Sequence, residues 1–575
     1  MRTLFGKFSI GILLFFLSWG NHQLGAQNLA IVGGTLIDGT GEPSQPNVTV
    51  LIQEGRISGI FSATDPVPDG LTTIDAKGKY IIPGLIDTHA HYRDWQPEFF
   101  INHGVTTVLD LGNRPEWMQA IKEAVAKGKM KGPRHFRSDL IIQAPPDPQN
   151  TEIPRQRRGR LVYVRDVSEA RDEARRQIEG GTDAIKIYAP LSPEQISAIV
   201  EEADKANIPV TGHILNAEDA ILAGIDFIEH TEGLAISTVD DMEKYEQVMR
   251  ERYQGDRYFF GGVPTGPALM QGYPPHHLMN SDRFEKIARL MAKNNAFLNP
   301  TLLNHWKGFT GHRKRFEEED TALLKHPNIG YVPERARLSL LSYGKVDGLA
   351  PERREIVFAG YRRVQEFLKV LVREGGKVVA GVDATAIPGL GTHQEMFLLV
   401  DAGLTPMQAL LSATLWSAEM MRKDDLLGSV EVGKLGDLVV LSRNPLEDIN
   451  NTRTVKWVIK EGVIQDTEYH ADFAIPIPRP DPSVYLPQID QLTPRISVQG
   501  AQKAKILVEG DGFGRRAMIM FDGVLISTRY VDSGQLEGTI SQRLLARVGT
   551  FPVTVQNPRP GGGVSNSLTF MVKFK

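Results

Sequence analysis

The chain contains no cysteine. That excludes disulfides, thiolate metal ligands, a cysteine nucleophile and a lipid-modified N-terminal cysteine, so any metal site must use His, Asp, Glu or Lys. An excess of either charge is also missing: 65 Lys and Arg face 69 Asp and Glu, and no basic stripe runs through the sequence. Nucleic acid is therefore not an expected partner. Long apolar runs are absent except near the start. There Arg2 and Lys7 precede an apolar run over 8–19, and Leu24-Gly25-Ala26 puts a small residue before Gln27. This is the layout of a signal peptide over 1–26, with an apolar part too short to span a bilayer. An N-terminal anchor helix is the alternative. The expectation is an exported protein, periplasmic or extracellular, with no membrane span after cleavage.

What the chain does have, over 575 residues, is enough for several domains. Short strands with Asp38-Gly39, Glu54-Gly55 and Asp69-Gly70 turns fill 27–80. From Tyr80 the pattern changes to apolar runs alternating with helical stretches. Strands are expected at 81–87, 105–111, 135–142, 184–188, 209–214, 227–230, 296–302 and 377–382. Helices are expected at 116–127, 168–179, 193–206, 217–223, 282–294, 354–374 and 406–421. Strands in that alternation form a parallel sheet covered on both faces, and eight of them fit a (β/α)8 TIM barrel over 81–425. An open doubly wound sheet is the structural rival. The segments 231–281 and 303–352 read as long lid or substrate-pocket loops. Strand signals return at 426–470, with Glu461-Gly462 as a turn, so the barrel is expected to be inserted in one small composite β-sandwich. A proline-rich linker at 471–483 leads to short alternating strands at 484–575, as in an Ig-like sandwich.

Five expected strands end in a possible metal ligand. They are His89 and His91 in Asp87-Thr88-His89-Ala90-His91, Lys186 in Ala184-Ile185-Lys186-Ile187-Tyr188, His213, His230 and Asp383. Taken singly, each has an ordinary structural explanation. Lys186 is the most demanding, because an ammonium in a strand covered on both faces costs several kcal/mol to desolvate. Burial favours its neutral amine, which can react with CO2 to form a carbamate; pairing with Asp183 or Glu229 is the alternative. Together, six donors at the carboxyl ends of barrel strands occupy the face where such barrels carry their sites.

The sequence resembles the amidohydrolase superfamily, in its imidazolonepropionase-like branch with prolidase-like enzymes, over about 29–466. The ligand motifs carry the resemblance, along with Gly104-Val105-Thr106-Thr107-Val108, Ala402-Gly403-Leu404-Thr405-Pro406 and Leu427-Gly428-Ser429-Val430-Glu431-Val432-Gly433-Lys434. Asp437-Leu438-Val439-Val440-Leu441 and Asn444-Pro445-Leu446 extend it. The resemblance implies two divalent metal ions, with Zn2+ the expected ion; Mn2+ and Fe2+ suit the same ligands. His89, His91 and Asp383 would hold one, His213 and His230 the other, with Lys186, carbamylated by CO2, bridging them. It also implies hydrolysis of a C–N bond by a metal-bridging hydroxide, with Asp383 as catalytic proton shuttle. Through Val553-Thr554-Val555-Gln556-Asn557-Pro558 and Gly561-Gly562-Gly563-Val564, the tail resembles an IPT/TIG domain.

Three further residues are candidates for substrate binding. His89-Ala90-His91-Tyr92-Arg93 is similar to dihydroorotase-like relatives, which implies that Arg93 grips a carboxylate; a loop salt bridge with Asp94 or Glu98 is the alternative. Tyr188 and His393 are pocket or packing residues. A Gly-Gly-His element found in prolidase-like relatives is missing from 138–148. The expected substrate is a small molecule or dipeptide: an N-acyl amino acid, a Xaa-Pro dipeptide or a cyclic amide. A lactonase or esterase on the same site, and a non-catalytic surface or glycan binder acting through the tail, are the competing readings.

Overall fold

The computed structural model describes residues 28–145, 156–157, 161–253, 259–260, 263–264, 275–341, 349–477, 487–514, 516–532, 534–557 and 563–575. The expected signal peptide lies outside them, as do parts of both long segments, much of the linker and Gly561-Gly562. No helix of the described residues is long and apolar enough to cross a membrane.

The chain opens with β1 (Leu29–Leu36), β2 (Gln45–Gln53), β3 (Arg56–Ser62), β4 (Thr72–Asp75) and β5 (Tyr80–Pro83). Between β2 and β3, Glu54 and Gly55 both take positive φ, 51° and 78°. That is the requirement of a type I′ turn, and it sets the Gln53–Arg56 pairing. The expected strand 81–87 is split at Gly84: β5 stays in this first sheet and β6 (Leu85–Ala90) starts the next.

β6 pairs in parallel with β7 (Val105–Asp110), and β7 with β8 (Arg134–Arg137). The expected strand 135–142 is interrupted after β8 and resumes as β9 (Ile141–Gln143). At the break Asp139 Oδ1 accepts the Leu140 N–H, and Gln177 Nε2 donates to the Leu140 carbonyl. Side chains thus take over bonds that a neighbouring strand would supply. β10 (Gln156–Arg157) and β11 (Leu161–Tyr163), absent from the sequence reading, flank β9 on one side. On the other side follow β12 (Ile185–Tyr188), β13 (Val210–His213), β14 (Phe227–Glu229) and, after a hairpin of β15 (Phe259–Phe260) and β16 (Val263–Pro264), β17 (Phe297–Asn299). All four pairings from β9 to β17 are parallel. A bridge from Ser138 to Ala184 ties the end of β8 to β12. The segment 377–383 runs beside β17, where Val379 N donates to Leu298 O at 2.9 Å. Its other edge meets β6, with Asp383 N donating to His89 O at 2.8 Å.

Connecting helices include Pro115–Ala126, Val167–Glu179, Pro193–Lys205, Phe284–Lys293 and Pro351–Arg373. Ser192 and Gln195 form a reciprocal capping box at the start of Pro193–Lys205, with proline in the first turn. The expected helix 406–421 is two pieces, Pro406–Ser412 and Leu415–Met420. The break has a clear cause: the Ser412 and Ala413 carbonyls accept from Ala380 N and Ile86 N instead of from the next helical turn. The two long segments are largely helical where described, with Glu232–Thr238, Met242–Tyr253, Leu302–Trp306, Arg313–Leu324 and Glu334–Leu340.

β18 (Leu438–Leu441) then returns to pair antiparallel with β5, and β19 (Val455–Lys460) and β20 (Val463–Ile464) extend the same sheet. Its order is β20-β19-β18-β5-β1-β2-β3, so strands from both flanks build one β domain. The start of the expected linker is docked rather than free. Trp117 Nε1 donates to Ile477 O, and the Phe473 ring packs on Tyr331. Beyond it, a four-stranded and a five-stranded sheet share one core, with Ile506, Val508 and Leu536 facing Ile519, Val553 and Phe570.

Candidate metal centre

Side chains on a strand alternate between its faces, and that period stacks this site in layers. Ala184, Phe227, Phe297 and Val379 share a buried apolar cluster with Ile86, Met420 and Met421. Two residues further along the same strands come Lys186, Glu229, Asn299 and Gly381. Two further still come Tyr188, Thr301 and Asp383. The middle layer is polar yet buried, with Lys186, Glu229 and Asn299 each at most 1% exposed. Gly381 is required there: a β-carbon would lie 2.6 Å from His89 Cβ and collide with the Asn299 amide. Above it, His230, Thr301 and Asp383 all adopt positive φ, at 65°, 43° and 60°. Left-handed backbone is costly for such residues, and here it occurs at three strand ends that meet.

Those strand ends bring the donors together. His91 Nε2 lies 3.2 Å from Asp383 Oδ1, and His89 Nε2 lies 3.8 Å from the same oxygen. His230 Nε2 is 3.8 Å from Asp383 Oδ2 and 3.0 Å from His213 Nε2. His89, His91 and Asp383 place ligand atoms within 4.8 Å of one another, and so do His230, His305 and Asp383. Lys186 Nζ sits 3.5 Å from Glu229 Oε1, with no hydrogen-bond partner among the described residues. Asp183, the other carboxylate considered for Lys186, instead accepts from Lys122.

The supporting bonds orient these groups. Glu229 accepts from His89 Nδ1 at 2.6 Å, Thr211 Oγ1 at 2.9 Å and Asn299 Nδ2 at 2.9 Å. The contact at Nδ1 pins the His89 proton there and leaves the lone pair on Nε2, a buried atom with no hydrogen-bond partner among the described residues. Burial pulls the Lys186 pKa down, only partly opposed by Glu229 and Asp383. Burial likewise holds His213 and His230 well below the usual imidazole range, reinforced by neighbouring cationic groups. For Asp383 burial works upward, but His89, His91 and His230 outweigh it and keep the carboxyl well below its ordinary value. His213 and His230 held neutral beside an ionised carboxylate, with the orphaned Nε2 of His89 among them, suit a divalent ion.

A profile of the amidohydrolase family matches residues 80–242 and 277–464, most of the chain. The chain belongs to the amidohydrolase family. It is thus a hydrolase acting on carbon–nitrogen bonds, and its His and Asp groups could hold the metal such enzymes typically use. This amidohydrolase is 23% identical over 475 residues to guanine deaminase of Escherichia coli K12, covering 76% of this chain and 93% of that one. It is 43% identical over 70 residues, 12% of its length and 15% of the other's, to dihydroorotase of Trichlorobacter lovleyi. A solved Xaa-Pro dipeptidase with methionine in its active site superposes with TM-score 0.53 at 23% identity, covering 76% of this chain and all of that one.

Of the three substrate-binding candidates, Tyr188 joins the centre, its ring 4.3 Å from that of His213. Arg93 lies at the edge, where Nη1 donates to the His91 and Tyr92 carbonyls. His393 does not join it. It is fully buried elsewhere, Nδ1 2.9 Å from Thr452 Oγ1 and Nε2 2.9 Å from His103 O, and ties its helix to its neighbours. Asn299, Thr301, Asn304 and His305 were absent from the sequence reading. Asn299 and Thr301 continue the alternation of Phe297 and were accessible to it. Asn304, which donates to Asp383 Oδ2 at 2.8 Å, and His305 fall in what read as loop, where no period marks an inward residue.

Proposed function

We propose that this amidohydrolase binds two divalent ions, Zn2+ by ligand chemistry, between His89, His91 and Asp383 on one side and His213 and His230 on the other. Lys186, its neutral amine carbamylated by CO2, lies between the two sets. The convergence of these six residues on one centre carries the reading. When bound, such ions acidify water and polarise a carbonyl. The protein's own part is to orient the imidazoles through Glu229 and Thr301 and to move the proton: Asp383 accepts it from the attacking water and returns it to the departing nitrogen. Bonds from 377–383 to both β17 and β6 support a closed (β/α)8 barrel around this centre. The substrate class is an amide of a small amino acid derivative, an N-acyl amino acid, Xaa-Pro dipeptide or cyclic amide. The likeness to a Xaa-Pro dipeptidase supports testing the dipeptides first. The N-terminal sequence supports export, and the two-sheet core supports reading 484–575 as an Ig-like, IPT/TIG-type module.

The test is elemental analysis of the mature protein, followed by turnover of Xaa-Pro dipeptides, N-acyl amino acids and matched lactones. Two equivalents of metal, loss of activity on chelation, and faster reconstitution with added bicarbonate are the expected results. Protein that binds no metal, or that hydrolyses lactones alone, contradicts the proposal.

A further inference from the structure

His230 is held differently from His89. Its Nε2 faces His213 Nε2 at 3.0 Å, so both nitrogens can serve a cation only if the His230 proton resides on Nδ1. Around Nδ1 lie Thr301 Oγ1 at 2.5 Å and His305 Nε2 at 3.1 Å, with the His305 ring 4.6 Å from that of His230. On the far side, His305 Nδ1 is 3.7 Å from Glu232 Oε1. A carboxylate beside Nδ1 of His305 favours the proton there, which leaves the Nε2 lone pair free to accept from His230. Glu232 begins the helix Glu232–Thr238, and His305 belongs to Leu302–Trp306.

We propose that Glu232 and His305 are positioning residues that, together with Thr301, fix the His230 tautomer, so that its Nε2 lone pair faces the metal position. This rests on the proposed metal centre. The pair does for His230 what Glu229 does for His89, through an added imidazole supplied by the segment after β17. His230, His305 and Asp383 also place ligand atoms within 4.8 Å of one another, so the number of ions bound at saturation separates a positioning role for His305 from a ligand role.

Zn2+ titrations of the apo-protein against a competing chelator test this. His305→Ala is expected to bind as many ions at saturation as wild type, but about 10- to 100-fold more weakly. His305→Gln, which restores an acceptor, should recover part of the loss, and Glu232→Gln should shift affinity the same way by less. Nitrogen-15 spectra of apo-protein should show His230 protonated on Nδ1, with that population reduced in His305→Ala. Unchanged affinity with an unchanged tautomer overturns the proposal, and so does loss of an ion at saturation, which would make His305 a ligand. If His305→Ala fails to fold, the Gln variants decide by the same readouts. Wild type that takes up no Zn2+ overturns the metal centre instead.

Discussion

At the scale of single residues, the site depends on what a strand end can aim inward. Asp383 combines a strained backbone with contacts to three histidines, so Asp383→Asn should lower kcat by about a hundred- to ten-thousand-fold. Its circular dichroism should match wild type, and turnover near wild type would remove it as the proton carrier. Gly381 has no room for a methyl group between His89 and Asn299. Gly381→Ala should cost about 1–3 kcal/mol of stability by overpacking, read from urea midpoints, and also weaken metal binding as His89 shifts. The strand-end candidates were legible because they stand where apolar runs stop. For His393 the sequence left pocket and packing roles open, because a histidine in a helix looks the same whether it faces a site or binds a threonine and a carbonyl. Glu229 was seen only as a partner for Lys186; that it also orients His89 is a fact of register between strands.

Among the elements, the short helix Leu302–Trp306 has more influence than its length implies. It presents Asn304 to Asp383 and His305 to His230, and its first N–H groups, of Leu302 and Leu303, both donate to buried Glu395 at 2.7 Å. Burial pushes the Glu395 carboxyl up to about 8, against the pull of those two donors. Its folded value thus exceeds the unfolded 4.5, so the folded state binds the extra proton. The resulting stability is complete below 4.5 and lost as pH climbs toward 8. Glu395→Gln cannot ionise, so its urea midpoint should gain on wild type between pH 5 and pH 8; a constant gap would refute the assignment. Such an element escapes sequence reading because five residues carry no period. The repeating strands and the long helices were legible for the opposite reason. The break at Ser412–Ala413 was not, since it arises from carbonyls committed to strands far away in the chain.

For the whole molecule, the catalytic region and the tail have separate cores. Ending the chain after Ile477 keeps the docked segment, where Glu98 also holds His470 and Tyr331. Turnover in that truncated protein is expected to stay within about twofold of full length, and a larger fall would give the tail a part in catalysis. The pairing of β5 with β18 has a different consequence, one of timing. During synthesis, β5 emerges long before Leu438–Leu441 has been made, and until then the first sheet has an open edge there. A nascent or prematurely terminated chain is therefore expected to offer that edge to other strands, as the finished protein does not, until Leu438–Leu441 has left the ribosome.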